Sequence, residues 1–260
     1  MTDALIGSSG FVGSTLLNQT KFDFHYRSTN IQEIDGESFD TVVCAAAPAQ
    51  KWIANQNPEK DRETIETLIG HLKTISCSYF ILISTVDVFS SPIGVNEASP
   101  INEENLLAYG LNRRHLEKFV EQHFEHHLIV RLPGLVGPGL RKNVIYDLQN
   151  NNNIQNIDSR AVFQFYPMVN LWADINIARE ANINIIHLTA KPISVSDVSK
   201  FGFGKTFENH CAATIAEYDM QTQHADIYGI SGSYQYGAHE TIHAIRSYNQ
   251  YQQACSGKDL

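Results

Sequence analysis

The sequence predicts an α/β protein with a doubly wound parallel sheet and a small C-terminal lobe. Three observations carry that expectation. Short apolar runs alternate with stretches of helical spacing through the first half of the chain. One run, residues 79–83, is almost wholly apolar, as a strand covered on both faces of a parallel sheet must be. Three glycines, Gly7, Gly10 and Gly13, separate the first apolar run from the first helical stretch.

The elements follow in order. Ala4-Leu5-Ile6 reads as a strand that ends at the glycines, and residues 11–18 as a helix with Phe11, Leu16 and Leu17 available for packing. Residues 22–26 form a second strand, and residues 41–47 a buried one stopped by Pro48. From Pro58 to Thr74 a helix opens with proline and acidic residues and carries Ile65, Leu68, Ile69, Leu72 and Ile75 at helical spacing. The strand at 79–83, a polar loop with Pro92, Gly94 and Pro100, a long helix over 103–124 and a strand over 127–132 complete the alternation. Right-handed crossovers then give one sheet. After Pro138-Gly139 the texture changes: a helix near 141–149, an Asn-rich surface loop at 150–153, a strand at 163–166, a helix at 170–181, a strand at 184–188 and a final helix near 240–252.

Charge and composition exclude several classes. A formal charge of −9 without any Lys/Arg block gives no electrostatic basis for a nucleic-acid partner. No apolar run approaches the roughly 18 residues that cross a bilayer, and the start does not resemble a signal peptide, so we expect a cytoplasmic protein with no membrane partner. Cys44, Cys77, Cys211 and Cys255 are far apart and form no C-x-x-C pair, which suits free thiols in a reducing compartment.

The segment Gly7-Ser8-Ser9-Gly10-Phe11-Val12-Gly13 lies between a strand and a helix. Backbone N–H groups of Ser9, Gly10, Phe11 and Val12 and the helix dipole can there meet a pyrophosphate at close range. This makes the fold Rossmann-type: residues 1–160 are expected to form a dinucleotide-binding domain, and residues 161–260 a small substrate lobe built from several segments and packed on the first as one compact body. The second strand ends in Arg27-Ser28, where an NAD-selective site places an acid for the ribose hydroxyls. A guanidinium and a hydroxyl suit a 2′-phosphate instead, so NADP(H) is the expected cofactor and NAD(H) the alternative.

Three further segments act in combination: Ser84-Thr85-Val86-Asp87-Val88-Phe89 after the central strand, Tyr109-Gly110-Leu111-Asn112-Arg113 on the long helix, and Arg131-Leu132-Pro133-Gly134 running on to Pro138 after the next strand. With them the chain, over roughly residues 3–200, resembles the extended short-chain dehydrogenase/reductase family, the group of sugar-nucleotide epimerases, dehydratases and reductases. The resemblance implies that Thr85 hydrogen-bonds a substrate oxygen and that Tyr109 exchanges a proton with it, while a nicotinamide exchanges hydride at the same carbon. It also implies that Ala45, Ala46 and Ala47, matched to the segment after the family's fourth strand, leave room for the cofactor, which Leu132, Pro133 and Gly134 also line. The family's lysine four residues after the tyrosine is Arg113 here, a permanent charge whose planar fork holds a ribose differently from an ammonium.

Asp87, Arg160 and Trp172 are the candidate substrate contacts: Asp87 beside Thr85, Arg160 for a phosphate and Trp172 for stacking a flat group. The substrate that the resemblance implies is a sugar or sugar nucleotide, with a homodimer as the assembly, and the short lobe favours a reductase over an epimerase. The alternative is a catalytically silent dinucleotide-binding sensor or scaffold, for which Arg113 is the main support. Residues 239–243 spell H-E-x-x-H, the spacing of a helical zinc site. No His or Glu follows to supply a third ligand, so no metal site is expected.

Overall fold

The computed structural model describes residues 2–255, the Cys255 side chain apart, so the free-thiol expectation for Cys255 lies outside the described residues. Along the first half run β1 (Asp3–Ile6), α1 (Phe11–Gln19), β2 (Phe24–Tyr26), β3 (Ser38–Cys44), α2 (Lys51–Gln56), α3 (Pro58–Leu72), β4 (Ser76–Thr85), the short β5 (Ile93–Val95), α4 (Ala108–His123) and β6 (His127–Leu132). Then come β7 (Gly134–Val136), α5 (Val144–Asn150), β8 (Val162–Phe163), β9 (Phe165–Pro167), α6 (Leu171–Glu180), β10 (Ile185–His187), β11 (Ile193–Ser194), α7 (Val195–Asp197), β12 (Asp219–Met220) and α8 (Ala238–Cys255). None of the described helices is long and apolar enough to cross a membrane.

The main sheet has the order β10-β6-β4-β3-β1-β2. Its strands β6, β4, β3, β1 and β2 are parallel, with Ile6 level with Tyr26 on one side and Cys44 on the other. The chain leaves β1 for β2 on one flank and returns to β3 on the other, which opens a crevice at the carboxyl ends of β1 and β3. Alternation along the strands sends Ala4, Ile6, Val42, Cys44, Phe80 and Leu82 to one face, where Ile65, Leu68 and Leu72 of α3 and Leu116 and Val120 of α4 cover them. The intervening Leu5, Val43, Ile81 and Val130 are equally buried on the opposite face. Each such side chain contributes about 1.5–3 kcal/mol, and the helix stripes that cover the sheet are the ones the sequence spacing marks.

Two units emerge, and they interleave along the chain. The first comprises Met1–Ser90, Ala98–Leu132 and Trp172–Ile186, and the second Ser91–Glu97, Pro133–Leu171 and His187–Leu260. The division expected at residue 160 is therefore displaced. Residues 133–160 belong to the second unit, and α6 with most of β10 to the first, because β10 extends the main sheet beyond β6.

Other departures from the sequence reading have local causes. The helix expected from residue 103 begins at Ala108: Asn102 caps a short turn, Glu103–Asn105, and Leu106 and Leu107 are extended. The strand expected at 163–166 is split between two pairings, β8 with β11 and β9 with β7. Gln164 stands between them, its amide nitrogen donating to Thr189 Oγ1, Ala190 O and Met220 O and its oxygen accepting from Met220 N–H. The short helix α2 was not foreseen; only Ala54 of its six residues is buried, too little for an apolar stripe.

Candidate active site

The glycines of the β1–α1 loop differ in what requires them. Gly7 has φ +88°, and a Cβ on it would lie 2.4 Å from the Ala45 carbonyl oxygen. A Cβ on Gly13 would lie 2.1 Å from the Gly7 oxygen, so α1 packs on the loop only because that atom is missing. Gly10 has nothing nearer than 3.5 Å, which leaves the helix N-terminus open beside exposed Ser9 and half-buried Phe11 and Val12. Gly7 and Ser8 N–H both donate to Tyr26 O, tying the loop to the end of β2. Such a cradle, closed at Gly7 and Gly13 and open at Gly10, fits a dinucleotide pyrophosphate.

Around it, Ala45, Ala46 and Ala47 are half-buried and follow β3, the third strand of this chain rather than a fourth. Arg27 and Ser28 are exposed in the turn after β2, where Arg27 N–H donates to Asn30 Oδ1 at 2.9 Å. Leu132 is buried level with Thr85 at the end of β6. Pro133 and Gly134 open the second unit, and Gly134 has a packing reason of its own: a Cβ there would lie 2.6 Å from Gln164 O in the β7–β9 pairing.

Thr85 and Tyr109 come together. Thr85 ends β4 and accepts the Asp87 N–H at 3.2 Å, and its hydroxyl faces the Tyr109 phenol closely enough to favour the ionised form. Tyr109 is held by its own N–H, which donates to Asn55 Oδ1 of α2 at 2.9 Å. Gly110 explains the Tyr-Gly pair, since a Cβ there would lie 2.0 Å from the Asp87 carbonyl oxygen. Burial pushes the phenol pKa up, Arg113 opposes this, Asp87 adds to it, and Thr85 and Lys51 again lower it, with a net rise.

Arg113 is turned inward, only 3% exposed. It forms an ion pair with buried Asp61 of α3, donates to Pro48 O and, at 3.2 Å, to Tyr109 O, and lays its guanidinium carbon 4.0 Å from the Tyr109 ring centroid. Its Nε is buried without a protein partner. Asn112 Nδ2 donates to the same Asp61 oxygen at 2.7 Å. The Asp87 carboxylate pairs with Lys51 Nζ at 2.7 Å.

Deeper in the unit, fully buried Glu117 accepts from Ser84 Oγ at 2.6 Å, from Arg131 Nε and Nη2 at 2.9 and 2.8 Å, and from Arg114 at 3.0 Å. Burial alone would raise its carboxyl, but the Arg131 hydrogen bonds and charge, with Ser84 and Arg114, hold it below the ordinary value. This cluster fixes α4 over β4 and β6, and with them Tyr109 over Thr85.

The other two substrate candidates are placed differently. Trp172 packs edge-on against Phe22 at 5.8 Å, and its N–H donates to Gln19 at the end of α1, so it stands at the edge where β2 begins, opposite the carboxyl ends. The Arg160 fork is filled by Asp158 at 2.9 and 2.8 Å and by Ala212 O, in a surface loop of the second unit. His239 and His243 stand exposed on α8 with their Nε2 atoms 3.0 Å apart, and the described residues contain no group of three metal-ligating side chains.

Asp61, Lys51, Asn55, Glu117 and Arg131 were missed by the sequence reading. Asp61 passed for an ordinary acid in the first turn of a helix. Its signal was position: 61, 65, 68 and 72 share one face, so a carboxylate stood on an apolar stripe. Arg131, inside a strand buried along its whole length, carried the same kind of signal.

No protein-family profile and no curated protein sequence matches the chain. Solved structures do match in fold. A dTDP-4-dehydrorhamnose reductase from Clostridium acetobutylicum is 15% identical, with a TM-score of 0.74 over 97% of this chain and 100% of that one. A UDP-N-acetylglucosamine 4-epimerase from Methanobrevibacter ruminantium is 13% identical, with a TM-score of 0.76 over 97% and 98%. A dTDP-4-dehydrorhamnose reductase from Bacillus anthracis, in complex with NADP, is 14% identical, with a TM-score of 0.72 over 96% and 99%. The chain therefore has the fold of these sugar-nucleotide reductases and epimerases, the fold that its resemblance to the extended short-chain dehydrogenases/reductases implied.

Proposed function

We propose that this protein is a nicotinamide-dependent oxidoreductase acting at a carbonyl or carbinol carbon of a sugar or sugar nucleotide. The observation that carries the reading is the juxtaposition of the Thr85 hydroxyl and the Tyr109 phenol at the carboxyl end of β4, on the same sheet edge as the glycine cradle. Backbone N–H groups of Ser9 to Val12 would hold the pyrophosphate, and Ala45 to Ala47 would border it. Arg113 Nε, the donor left unpaired in that side chain, is free for a ribose hydroxyl. The bound nicotinamide supplies or accepts hydride. Thr85 orients the substrate oxygen, and Tyr109 gives it a proton or takes one.

NADP(H) is the favoured form, because exposed Arg27 and Ser28 offer a guanidinium and a hydroxyl where a 2′-phosphate would sit. The reading includes a homodimer in the cytoplasm, the dimer being checked by sedimentation. Arg160 and Trp172 have no part in it, since both are engaged elsewhere.

The test is hydride exchange between NADPH and a panel of 4-keto sugar nucleotides. Oxidation of the cofactor that is lost in Tyr109→Phe, with NADPH binding retained, supports the reading. Tight NADPH binding without any turnover would instead favour the silent scaffold, whose support is that Arg113 is committed to Asp61.

A further inference from the structure

Two cations face Tyr109 within the first unit, and each is answered by a carboxylate. Arg113 of α4 lies on the phenol ring, and Asp61 of α3 is buried with it as its ion partner. Lys51 of α2 acts on the phenol from farther off, and its ammonium stands 2.7 Å from Asp87 in the turn after β4. Thr85 faces the phenol with a hydroxyl and adds no charge. These are the groups that α2, α3, α4 and the β4 turn present to the phenol. A cation with its counter-charge at hydrogen-bond distance acts on a third group as a dipole, and its pull on a tyrosinate is far weaker than that of a lone charge. Burial, meanwhile, disfavours the charged phenolate.

We propose that Tyr109 is held as a neutral phenol, with Asp61 as the positioning residue that quenches Arg113, so that the site is set to reduce a carbonyl rather than to oxidise a carbinol. The inference rests on the oxidoreductase reading above and gives it a direction. In that direction the carbonyl carbon receives a hydride from the reduced nicotinamide, which is oxidised, while the carbonyl oxygen takes the Tyr109 proton. Solvent water then returns a proton to the tyrosinate. The overall equilibrium is unchanged, but the reverse reaction needs the tyrosinate at the start, and the charge arrangement keeps that form scarce at neutral pH. Geometry supports the role of Asp61 independently: Asn112 and Arg113 donate to a single carboxylate oxygen, and Pro48 O fixes the other end of the guanidinium.

Ultraviolet titration of tyrosinate in the protein without cofactor tests this, each variant being compared with its Tyr109→Phe counterpart so that one of the 11 tyrosines is isolated. The unaltered protein should show no Tyr109 tyrosinate at about pH 9, one unit below an ordinary phenol. Asp61→Asn keeps an oxygen for both hydrogen bonds and removes the charge, so it should lower the Tyr109 midpoint by about one unit, a tenfold rise in tyrosinate at a given pH. The pH profile of keto-sugar reduction should move by the same amount. Tyrosinate already present at pH 9, or a folded Asp61→Asn protein with an unmoved midpoint, would overturn the proposal. If Asp61→Asn does not fold, Asp87→Asn exposes Lys51 and makes the same prediction. A titration that behaves as expected without any turnover would sink the oxidoreductase reading and leave the neutral phenol established.

Discussion

The starts of α1 and α4 are both pressed against a carbonyl: a methyl group on Gly13 would come within 2.1 Å of the Gly7 oxygen, and one on Gly110 within 2.0 Å of the Asp87 oxygen. The same steric demand serves two kinds of proposed site. At α1 the groups proposed to bind are backbone amides, so their placement is complete once the glycines set the path of the chain. At α4 they are side chains, and Tyr109 depends on Thr85, Asn55 and Arg113, which in turn depends on Asp61. The first site is local in sequence; the second is assembled from α2, α3, α4 and β4.

That contrast can be broken by substitution. Asp61→Ala should have the largest effect, a loss of about 3–5 kcal/mol in denaturant unfolding, because it leaves Arg113 buried without a counter-charge. Tyr109→Phe should leave stability and NADPH affinity close to unchanged and reduce turnover by roughly 10²–10⁴-fold in steady-state assays. Gly13→Ala and Gly110→Ala should each cost roughly 1–3 kcal/mol from overpacking. They should separate in ligand binding: Gly13→Ala weakens NADPH, whereas Gly110→Ala displaces Tyr109 and lowers turnover with NADPH affinity retained, and equal effects on both would dissolve the distinction. Arg27→Ala, at an exposed position, should have the smallest effect on stability, leaving unfolding unchanged, while it weakens NADPH by about 1.5–3 kcal/mol in calorimetry and leaves NADH unaffected.

The α4 region should also be the acid-sensitive one. Glu117 is held below its ordinary value in the folded chain, so its contribution is full above that value and is lost as the pH falls below it, through the depressed one. Glu117→Gln should flatten this part of the acid-unfolding curve.

Legibility in the sequence follows the same divide. The glycine loop, the strands β4 and β6 and the apolar face of α3 could be read because each is a pattern over neighbouring residues. Thr85 and Tyr109 were named through a resemblance that joins distant segments, and the structure sets them side by side. The partners of Arg113 were not found, since nothing local distinguishes Asp61 from a helix-start acid except the stripe it shares with Ile65, Leu68 and Leu72. Arg160 and Trp172 were proposed on residue type alone, and packing gave both another task. The division at residue 160 failed because strand β10 joins the main sheet from late in the chain, which no local pattern announces.

The central claim is that Tyr109 works beside a bound nicotinamide on a carbonyl. Its most direct test supplies deuterium at the hydride position of NADPH and follows the label into a 4-keto sugar nucleotide. The account predicts one deuterium on the former carbonyl carbon of the product and none with Tyr109→Phe. Label that stays on the cofactor across the panel, or that transfers equally well without the phenol, would contradict it.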